Sequence, residues 1–229
     1  MKSDYDARQV RIGAARRVGS WVAHGLMAPF SLLPSSHQRE RKENIRTLVF
    51  VHGLAGNRSN FYPLQSYLWW KGYRRQLSFN YLTTGSIERC GIELKERIDS
   101  EIKGGRIDLI CHSMGGLVGR VYLQMLGGDR RVDRFITLGT PHHGSEMSAW
   151  APSPLVSQLA PSGPFIEHLN SLPPPDVRTL AIEGGKDIIV LPTRSAQAPF
   201  GENHLQPNVG HLDMLLSPAV FRTVRMGLL

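Results

Sequence analysis

A serine stands at an abrupt change of pattern in this sequence. The apolar run RIDLICH (106–112) is typical of a buried strand, and MGGLVGRVYLQML (114–126) begins directly afterwards as a glycine-containing helix, with Ser113 between them. A serine hydroxyl becomes a nucleophile when a base takes its proton and nearby amides stabilise the resulting oxyanion. A tight strand-to-helix turn lifts the serine above the sheet edge and places the next N–H at a helix N-terminus. CHSMGG therefore predicts a nucleophile elbow.

Nine histidines compete for the role of the base. His211 follows the short apolar stretch QPNVGH and precedes LDMLLSPAVFRTVRMGL, a predicted terminal helix that would fix its loop. His204 is the nearest rival, and its polar loop context favours the surface. His112 is expected to pack inside the elbow and His52 to hold the loop after the first strand. We assign the base to His211.

The acid that orients this base is predicted to be Asp187, which follows the strand TLAIEGG and begins DIIV. A carboxylate there would accept the imidazole Nδ1–H, fix the tautomer and stabilise the imidazolium. Glu183 is a reserve candidate. We interpret three other aspartates as solvated charges, because they lie too close to His211 in sequence or at the opposite ends of their strands: Asp108, Asp133 and Asp213.

Strands and helices alternate along most of the chain. The patterns predict strands over 46–53, 73–81, 106–112, 132–141 and 177–185, and helices over 59–71, 86–102 and 114–126. Such alternation implies right-handed crossovers and a mostly parallel central sheet with helices on both faces. In this α/β class, chemistry belongs at the carboxyl ends of the strands.

One segment interrupts the alternation. Residues 141–175 contain eight of the fifteen prolines and no convincing strand, and short helices are predicted near 153–160 and 164–171. Because so long a connection is uncommon in a compact domain, we interpret residues 142–175 as a lid-like segment. Apolar residues of this segment and of the elbow either line an acyl channel or anchor the lid helices to the core: Leu54, Met114, Trp150, Leu155, Val156, Leu159, Phe165 and Ile166.

The net charge of +8 is concentrated near the start of the chain, because residues 1–46 hold nine Lys and Arg against four Asp and Glu. No aromatic-interleaved basic stripe or nucleic-acid motif accompanies it, so we expect no nucleic-acid partner. Residues 1–45 are interpreted as an N-terminal helical arm and linker. A peripheral membrane contact is the alternative, since apolar residues recur at helical spacing beside arginines: Val10, Ala14, Val18, Trp21 and Val22.

Localisation and cofactors follow from what the sequence lacks. Residues 18–34 are uncharged and follow Arg16 and Arg17, which raises export, but no small-residue cleavage site follows. We expect a cytoplasmic protein, with membrane association or export as the alternatives. Cys90 and Cys111 show neither disulfide-scaffold nor metal-ligand spacing, and we expect buried thiols. No dinucleotide or P-loop motif is present, so no cofactor or metal is predicted. The oligomeric state is left open.

Four motifs follow one another along the chain, each on or next to a predicted strand or helix: VFVHGLAGN, CHSMGGLVGR, TLGTPHHGS and VGHLDMLLSP. With them, residues 46–229 resemble the α/β-hydrolase superfamily, and specifically its small bacterial lipases and esterases of the Bacillus type. Cys111 departs from the first glycine of G-x-S-x-G, a position where those lipases carry alanine. The resemblance implies a catalytic domain over residues 46–229 and an α/β-hydrolase fold.

The resemblance also implies the site and the activity. Ser113, Asp187 and His211 would form the catalytic triad, and the backbone N–H groups of Leu54 and Met114 would form the oxyanion hole. The implied enzyme is a serine carboxylic-ester hydrolase (EC 3.1.1), an esterase or lipase that acts on an ester or lipid through an acyl-enzyme. Thioesterases, acyltransferases and membrane-peripheral lipid-remodelling hydrolases use the same machinery, and they are the alternatives.

Overall fold

The computed structural model describes residues 46–150 and 153–229, without the side chain of Trp150. Residues 1–45, predicted to be a helical arm and linker, lie outside the described residues.

A six-stranded sheet forms the centre of the protein. Its strands are β1 (Thr47–Val51), β2 (Gln76–Ser78), β3 (Ile107–His112), β4 (Val132–Leu138), β5 (Arg178–Gly184) and β6 (Glu202–Gln206). Their order is β2-β1-β3-β4-β5-β6, and every neighbouring pair is parallel. The predicted parallel sheet is therefore confirmed. All carboxyl ends lie along one edge of the sheet, where the crossovers begin.

Helices cover both faces of this sheet. They are α1 (Tyr62–Trp70), α2 (Ile87–Glu101), α3 (Gly115–Met125), α4 (Pro154–Ser157), α5 (Pro164–Ser171) and α6 (Pro218–Gly227). The α2 helix begins where the sequence indicates, because the Ser86 hydroxyl accepts the Arg89 N–H at 3.2 Å. Within the described chain, each helix is too short or too polar to cross a bilayer.

Two apolar layers hold the helices against the sheet, and the side-chain alternation of β1 shows how. Leu48 and Phe50 pack in the layer shared with α1 and α6, whereas Val49 and Val51 pack in the layer shared with α2 and α3. Successive strand side chains point to opposite faces, so a strand covered on both faces must be apolar throughout. The continuous apolar run of β1 follows from this burial.

The sheet differs from the sequence prediction in two places. β2 comprises only Gln76–Ser78, although the pattern predicts a strand over 73–81. β6 was not predicted, because four of its five residues ENHLQ are polar and the strand is almost entirely exposed. An edge strand pairs through its backbone on one side only and needs no apolar face, so its sequence lacks the usual strand signal.

The predicted lid-like segment contains α4 and α5. The helix predicted at 164–171 is confirmed as Pro164–Ser171, whereas the one predicted near 153–160 is only Pro154–Ser157. Leu155, Leu159 and Ile166 are buried in the same apolar layer as α2 and α3. These side chains therefore anchor the segment to the core, which was one of the two roles predicted for them. Its opening and closing remain a prediction.

Candidate active site

The turn between β3 and α3 has an unusual backbone conformation at Ser113. Its φ is +56°, in the left-handed region that costs a non-glycine residue about 1 kcal/mol or more. The Ser113 N–H donates to the Leu138 carbonyl at 2.9 Å, which ties the turn to the end of β4. The tertiary structure thus imposes a strained turn that presents the serine at the carboxyl edge of the sheet.

Close backbone packing explains the glycines beside this serine. A Cβ on Gly53 would lie 2.6 Å from the Ser113 Cβ, and one on Gly115 would lie 2.5 Å from the His52 carbonyl oxygen. A Cβ on Gly116 would collide with the Thr140 hydroxyl. Only glycine fits at these positions, because real Cβ atoms do not approach so closely. The loop after β1 and the elbow after β3 are therefore in direct contact.

Cys111 occupies the position of the first glycine in the usual elbow pattern. Its thiol is fully buried in β3 and packs against Gly119 of α3, where a Cβ would lie 3.1 Å from the sulfur. The missing side chain at Gly119 therefore makes room for the larger Cys111. Burial raises the pKa of the Cys111 thiol well above its usual range, so the thiol stays protonated and does not compete as a nucleophile.

His211 lies within hydrogen-bond distance of the serine. Its Nε2 is 2.9 Å from the Ser113 Oγ, although 98 positions separate the two residues. The His112 Nε2–H donates to the His211 carbonyl at 3.1 Å, which holds the histidine loop over the elbow. The sequence prediction gave His112 a packing role, and the structure places it in one. The Ser113 hydroxyl therefore has an imidazole acceptor.

Asp187 completes this row of side chains from the loop after β5. Its Oδ2 is 2.8 Å from the His211 Nδ1, and its Oδ1 accepts the N–H groups of Ile189 and Val190 at 2.8 and 2.9 Å. Because an ionised carboxylate only accepts, Nδ1 carries the hydrogen and Nε2 is left to accept from Ser113. The two amides fix the carboxylate, and the carboxylate fixes the imidazole tautomer.

The Leu54 amide is oriented by the carbonyl group of its own peptide unit. The Gly53 carbonyl accepts from the His52 Nδ1–H at 2.9 Å and from the Gly56 N–H at 3.1 Å. In a planar trans peptide the C=O and N–H point in opposite directions, so holding the Gly53 carbonyl also fixes the direction of the Leu54 N–H. Among the described residues, no acceptor binds this N–H.

The Met114 amide is fixed in the same way. The Ser113 carbonyl accepts from the Gly116 N–H at 3.0 Å and from the Thr140 hydroxyl at 2.9 Å. The Met114 N–H points away from those donors, and no acceptor in the described part of the chain binds it. Both predicted oxyanion donors therefore have N–H groups that bind no acceptor in the described chain, and each N–H group has a fixed orientation. The two loops that carry them touch at Gly53 and Ser113.

One residue of this arrangement, Thr140, was not recognised from the sequence. Thr140 follows β4 in the motif TLGTPHHGS, and its hydroxyl holds the elbow carbonyl. His52 was expected to hold its loop, and its contact with the Gly53 carbonyl confirms that role. Burial lowers the pKa of His52 to about 4, so it remains a neutral donor at physiological pH. The fold brings Thr140 to the Ser113 carbonyl from a distant part of the chain, whereas His52 contacts the carbonyl of the residue that follows it.

The other titratable residues considered from the sequence lie elsewhere. His204 is exposed, as expected, but it belongs to β6 rather than to a loop. Glu183 is buried and accepts from Gln197, away from His211. The interpretation of Asp108 and Asp213 as solvated charges is wrong. Asp108 is 1% exposed and pairs with Arg46, while Asp213 accepts the Gly210 N–H at 3.1 Å.

Comparisons with known proteins agree with this architecture. A sequence model of the palmitoyl protein thioesterase family matches residues 47–162, half of the chain. Among solved structures, the mature lipase of Bacillus licheniformis is 20% identical with a TM-score of 0.69, over 84% of this chain and 95% of the lipase. An α/β-hydrolase from the metagenome of lagoon sediments at Mar Chica, Morocco, is 22% identical with a TM-score of 0.61, over 83% and 96%.

A mouse protein is also similar. The α/β hydrolase domain-containing protein 10 is 16% identical with a TM-score of 0.59, and the match covers 82% of this chain and 90% of that protein. At these identities the structural matches establish the fold, and the family match establishes kinship. The chain therefore belongs to the palmitoyl protein thioesterase family and is an α/β-hydrolase.

Proposed function

We propose that this protein hydrolyses carboxylic esters through a covalent acyl-enzyme, with Ser113 as nucleophile, His211 as general base and acid, and Asp187 as the orienting carboxylate. The observation that carries the proposal is the continuous row of contacts from the Ser113 Oγ to the His211 imidazole and the Asp187 carboxylate, at 2.9 and 2.8 Å. These distances are those required for proton transfer and for tautomer control.

The proposed reaction has two halves. The Ser113 Oγ attacks the acyl carbon while His211 Nε2 takes the hydroxyl proton, and the Leu54 and Met114 N–H groups stabilise the oxyanion. His211 then gives that proton to the leaving oxygen, and the acyl group remains on Ser113. Water attacks the acyl carbon while His211 takes a proton from it; His211 then returns this proton to the Ser113 Oγ as the bond between Oγ and the acyl carbon breaks, which releases the acid and restores the serine hydroxyl. Asp187 stays ionised throughout and stabilises the imidazolium.

A second candidate function is thioester hydrolysis, and the family match favours it. The matched residues 47–162 include both loops proposed to form the oxyanion hole and the nucleophile. The same residues cleave a thioester without any change of role, because only the leaving atom differs. A thiolate needs less help from His211 than an alkoxide does, since a thiol is the stronger acid. Esters and thioesters are therefore distinguished by turnover and not by the catalytic groups.

The experiment compares matched acyl chains on the two leaving groups. Purified protein is assayed with p-nitrophenyl esters from acetate to palmitate and with the corresponding S-acyl cysteine peptides, and kcat/KM is measured for each. Ser113→Ala should lower turnover of both series by about 10⁶-fold. Comparable turnover by Ser113→Ala would contradict the proposed nucleophile. A consistently higher kcat/KM on the peptides would replace the ester assignment by the thioester one.

A further inference from the structure

The C-terminal end of α1 carries exposed aromatic and basic side chains. Trp70 is 77% exposed and Trp69 is 38% exposed, and their rings meet edge to face with centroids 5.4 Å apart. The Arg74 guanidinium lies 3.5 Å from the centre of the Trp69 ring. We call Trp69, Trp70, Lys71 and Arg74 the α1 patch. So exposed a tryptophan pair indicates a contact surface rather than a part of the core.

Within the residues that the structure describes, the positive charge of the α1 patch has no carboxylate partner, since none lies within ion-pair distance of Lys71 or Arg74. By contrast, Arg46 and Arg106, which precede β1 and β3, each form an ion pair with Asp133. Lys71 and Arg74 lie over the rings of Tyr67 and Trp69, and these contacts leave their charges unneutralised. The patch therefore combines two cations that have no ion pair in the described chain with two amphipathic indole rings, a composition that favours an anionic partner.

The α1 patch lies at the edge of the sheet opposite the serine. The Arg75 carbonyl, next to the patch, accepts the Leu48 N–H at 3.0 Å at the start of β1. Because the strands are parallel, this amino edge and the carboxyl edge that carries Ser113 are at opposite ends of the protein. Residues 1–45 join β1 at the amino edge, and they contain eight Lys and Arg against four Asp and Glu.

We propose that the α1 patch binds the anionic headgroups of a membrane surface. Indole rings favour the boundary between water and acyl chains, and each nearby Lys or Arg adds attraction to acidic lipid. Residues 1–45 and a second copy of this chain are less suitable occupants, because both bring further positive charge to Lys71 and Arg74.

This inference goes beyond the proposed hydrolysis and does not require it. It also differs from a contact made by residues 1–45 alone, because it assigns binding to the catalytic domain. Docking through the amino edge leaves the carboxyl edge, with Ser113, open to the aqueous phase.

The test is co-sedimentation of the full chain with vesicles of phosphatidylglycerol and phosphatidylcholine, compared with vesicles of phosphatidylcholine alone. We expect binding to the anionic vesicles that weakens as salt rises. Lys71→Glu/Arg74→Glu should weaken partitioning about tenfold or more. Trp70→Ala should also weaken the binding to anionic vesicles. The fold should tolerate this substitution, because the Trp70 side chain is exposed. Arg89→Glu/Arg222→Glu changes the net charge equally at exposed positions elsewhere and should bind like the wild type.

Several outcomes would overturn the proposal. The wild type could bind neutral and anionic vesicles equally, or neither. Lys71→Glu/Arg74→Glu and Trp70→Ala could both bind vesicles as the wild type does, while Arg16→Glu/Arg17→Glu abolishes binding. That result would assign the contact to residues 1–45 alone. A Trp70-dependent dimer in sedimentation velocity, without vesicle binding, would identify the α1 patch as an interface between copies of the chain.

Discussion

Asp187 and Asp108 are buried aspartates at opposite edges of the same sheet, and their partners differ in kind. Asp187 accepts two backbone N–H groups with one oxygen and faces the His211 imidazole with the other. Asp108 faces two guanidinium groups, Arg46 at 3.0 Å and Arg134 at 3.5 Å. The exposed fractions, 4% and 1%, do not separate the two residues.

The partner decides what each carboxylate can do. A guanidinium keeps its proton at every physiological pH, so the Asp108 cluster can only hold the amino edge together. An imidazole gains and loses a proton near neutral pH, so the Asp187 pair can support proton transfer if a nucleophile lies on the other side of the ring. Burial of an aspartate therefore does not identify a catalytic acid, whereas a titratable partner beside a serine does.

The largest expected effect is that of Asp187→Asn on catalysis. The amide cannot hold the Nδ1–H tautomer of His211, so kcat should fall about 10⁴-fold, measured on a soluble p-nitrophenyl ester. The unfolding midpoint should stay close to that of the wild type, so the loss of kcat would not result from unfolding. A variant that retains most of its kcat would show that Asp187 is not the orienting acid, and Glu183→Gln would then be the next variant to assay.

Asp108→Asn should act on stability instead. Its removal leaves Arg134, a largely buried cation, without a full charge partner, and we expect a loss of about 3 kcal/mol in the free energy of unfolding. Urea unfolding measures this loss, and kcat per folded molecule should stay within a few-fold of the wild type. A large fall in kcat with unchanged stability would reverse the roles assigned to the two edges.

Thr140→Val tests the clamp on the elbow carbonyl. The substitution keeps the shape of the side chain but removes the hydroxyl that binds the Ser113 carbonyl. The Met114 N–H would lose part of its fixed orientation, so we expect kcat to fall about tenfold, less than when a donor itself is removed. KM and the unfolding midpoint should barely change, and Thr140→Ser should restore the rate. Loss of stability without loss of kcat would indicate packing alone.

The stability of the protein should also depend on pH through His52. Burial lowers the pKa of His52 to about 4, whereas the unfolded chain takes up this proton near pH 6.5. The free energy of unfolding should therefore fall as pH drops from about 6.5 to 4, because the unfolded state binds the extra proton first. Urea titrations at several pH values measure the slope of the unfolding free energy against pH. His52→Gln should reduce this slope by an amount that corresponds to at most about one bound proton. Equal slopes would contradict a neutral, buried His52.

Much of the sheet could be predicted because its central strands are buried on both faces. Burial forces β1 to be a continuous apolar run and β3 to be mostly apolar, and the turn glycines limit them. β6 escaped prediction because an exposed edge strand needs only backbone pairing. The burial of Asp108 was misjudged for a related reason: sequence position indicates the strand edge but not the arginines that other strands bring there.

The sequence by itself determined the order of the buried strands and the serine at a strand-to-helix junction, because local patterns of apolar and small residues encode both. Only the tertiary structure decided which arginines face Asp108 and that Thr140 holds the Ser113 carbonyl. Those contacts join residues far apart in the chain, such as Asp108 and Arg46, and their geometry depends on the parallel sheet that aligns the ends of neighbouring strands. Distances of this kind have no signature in a linear sequence.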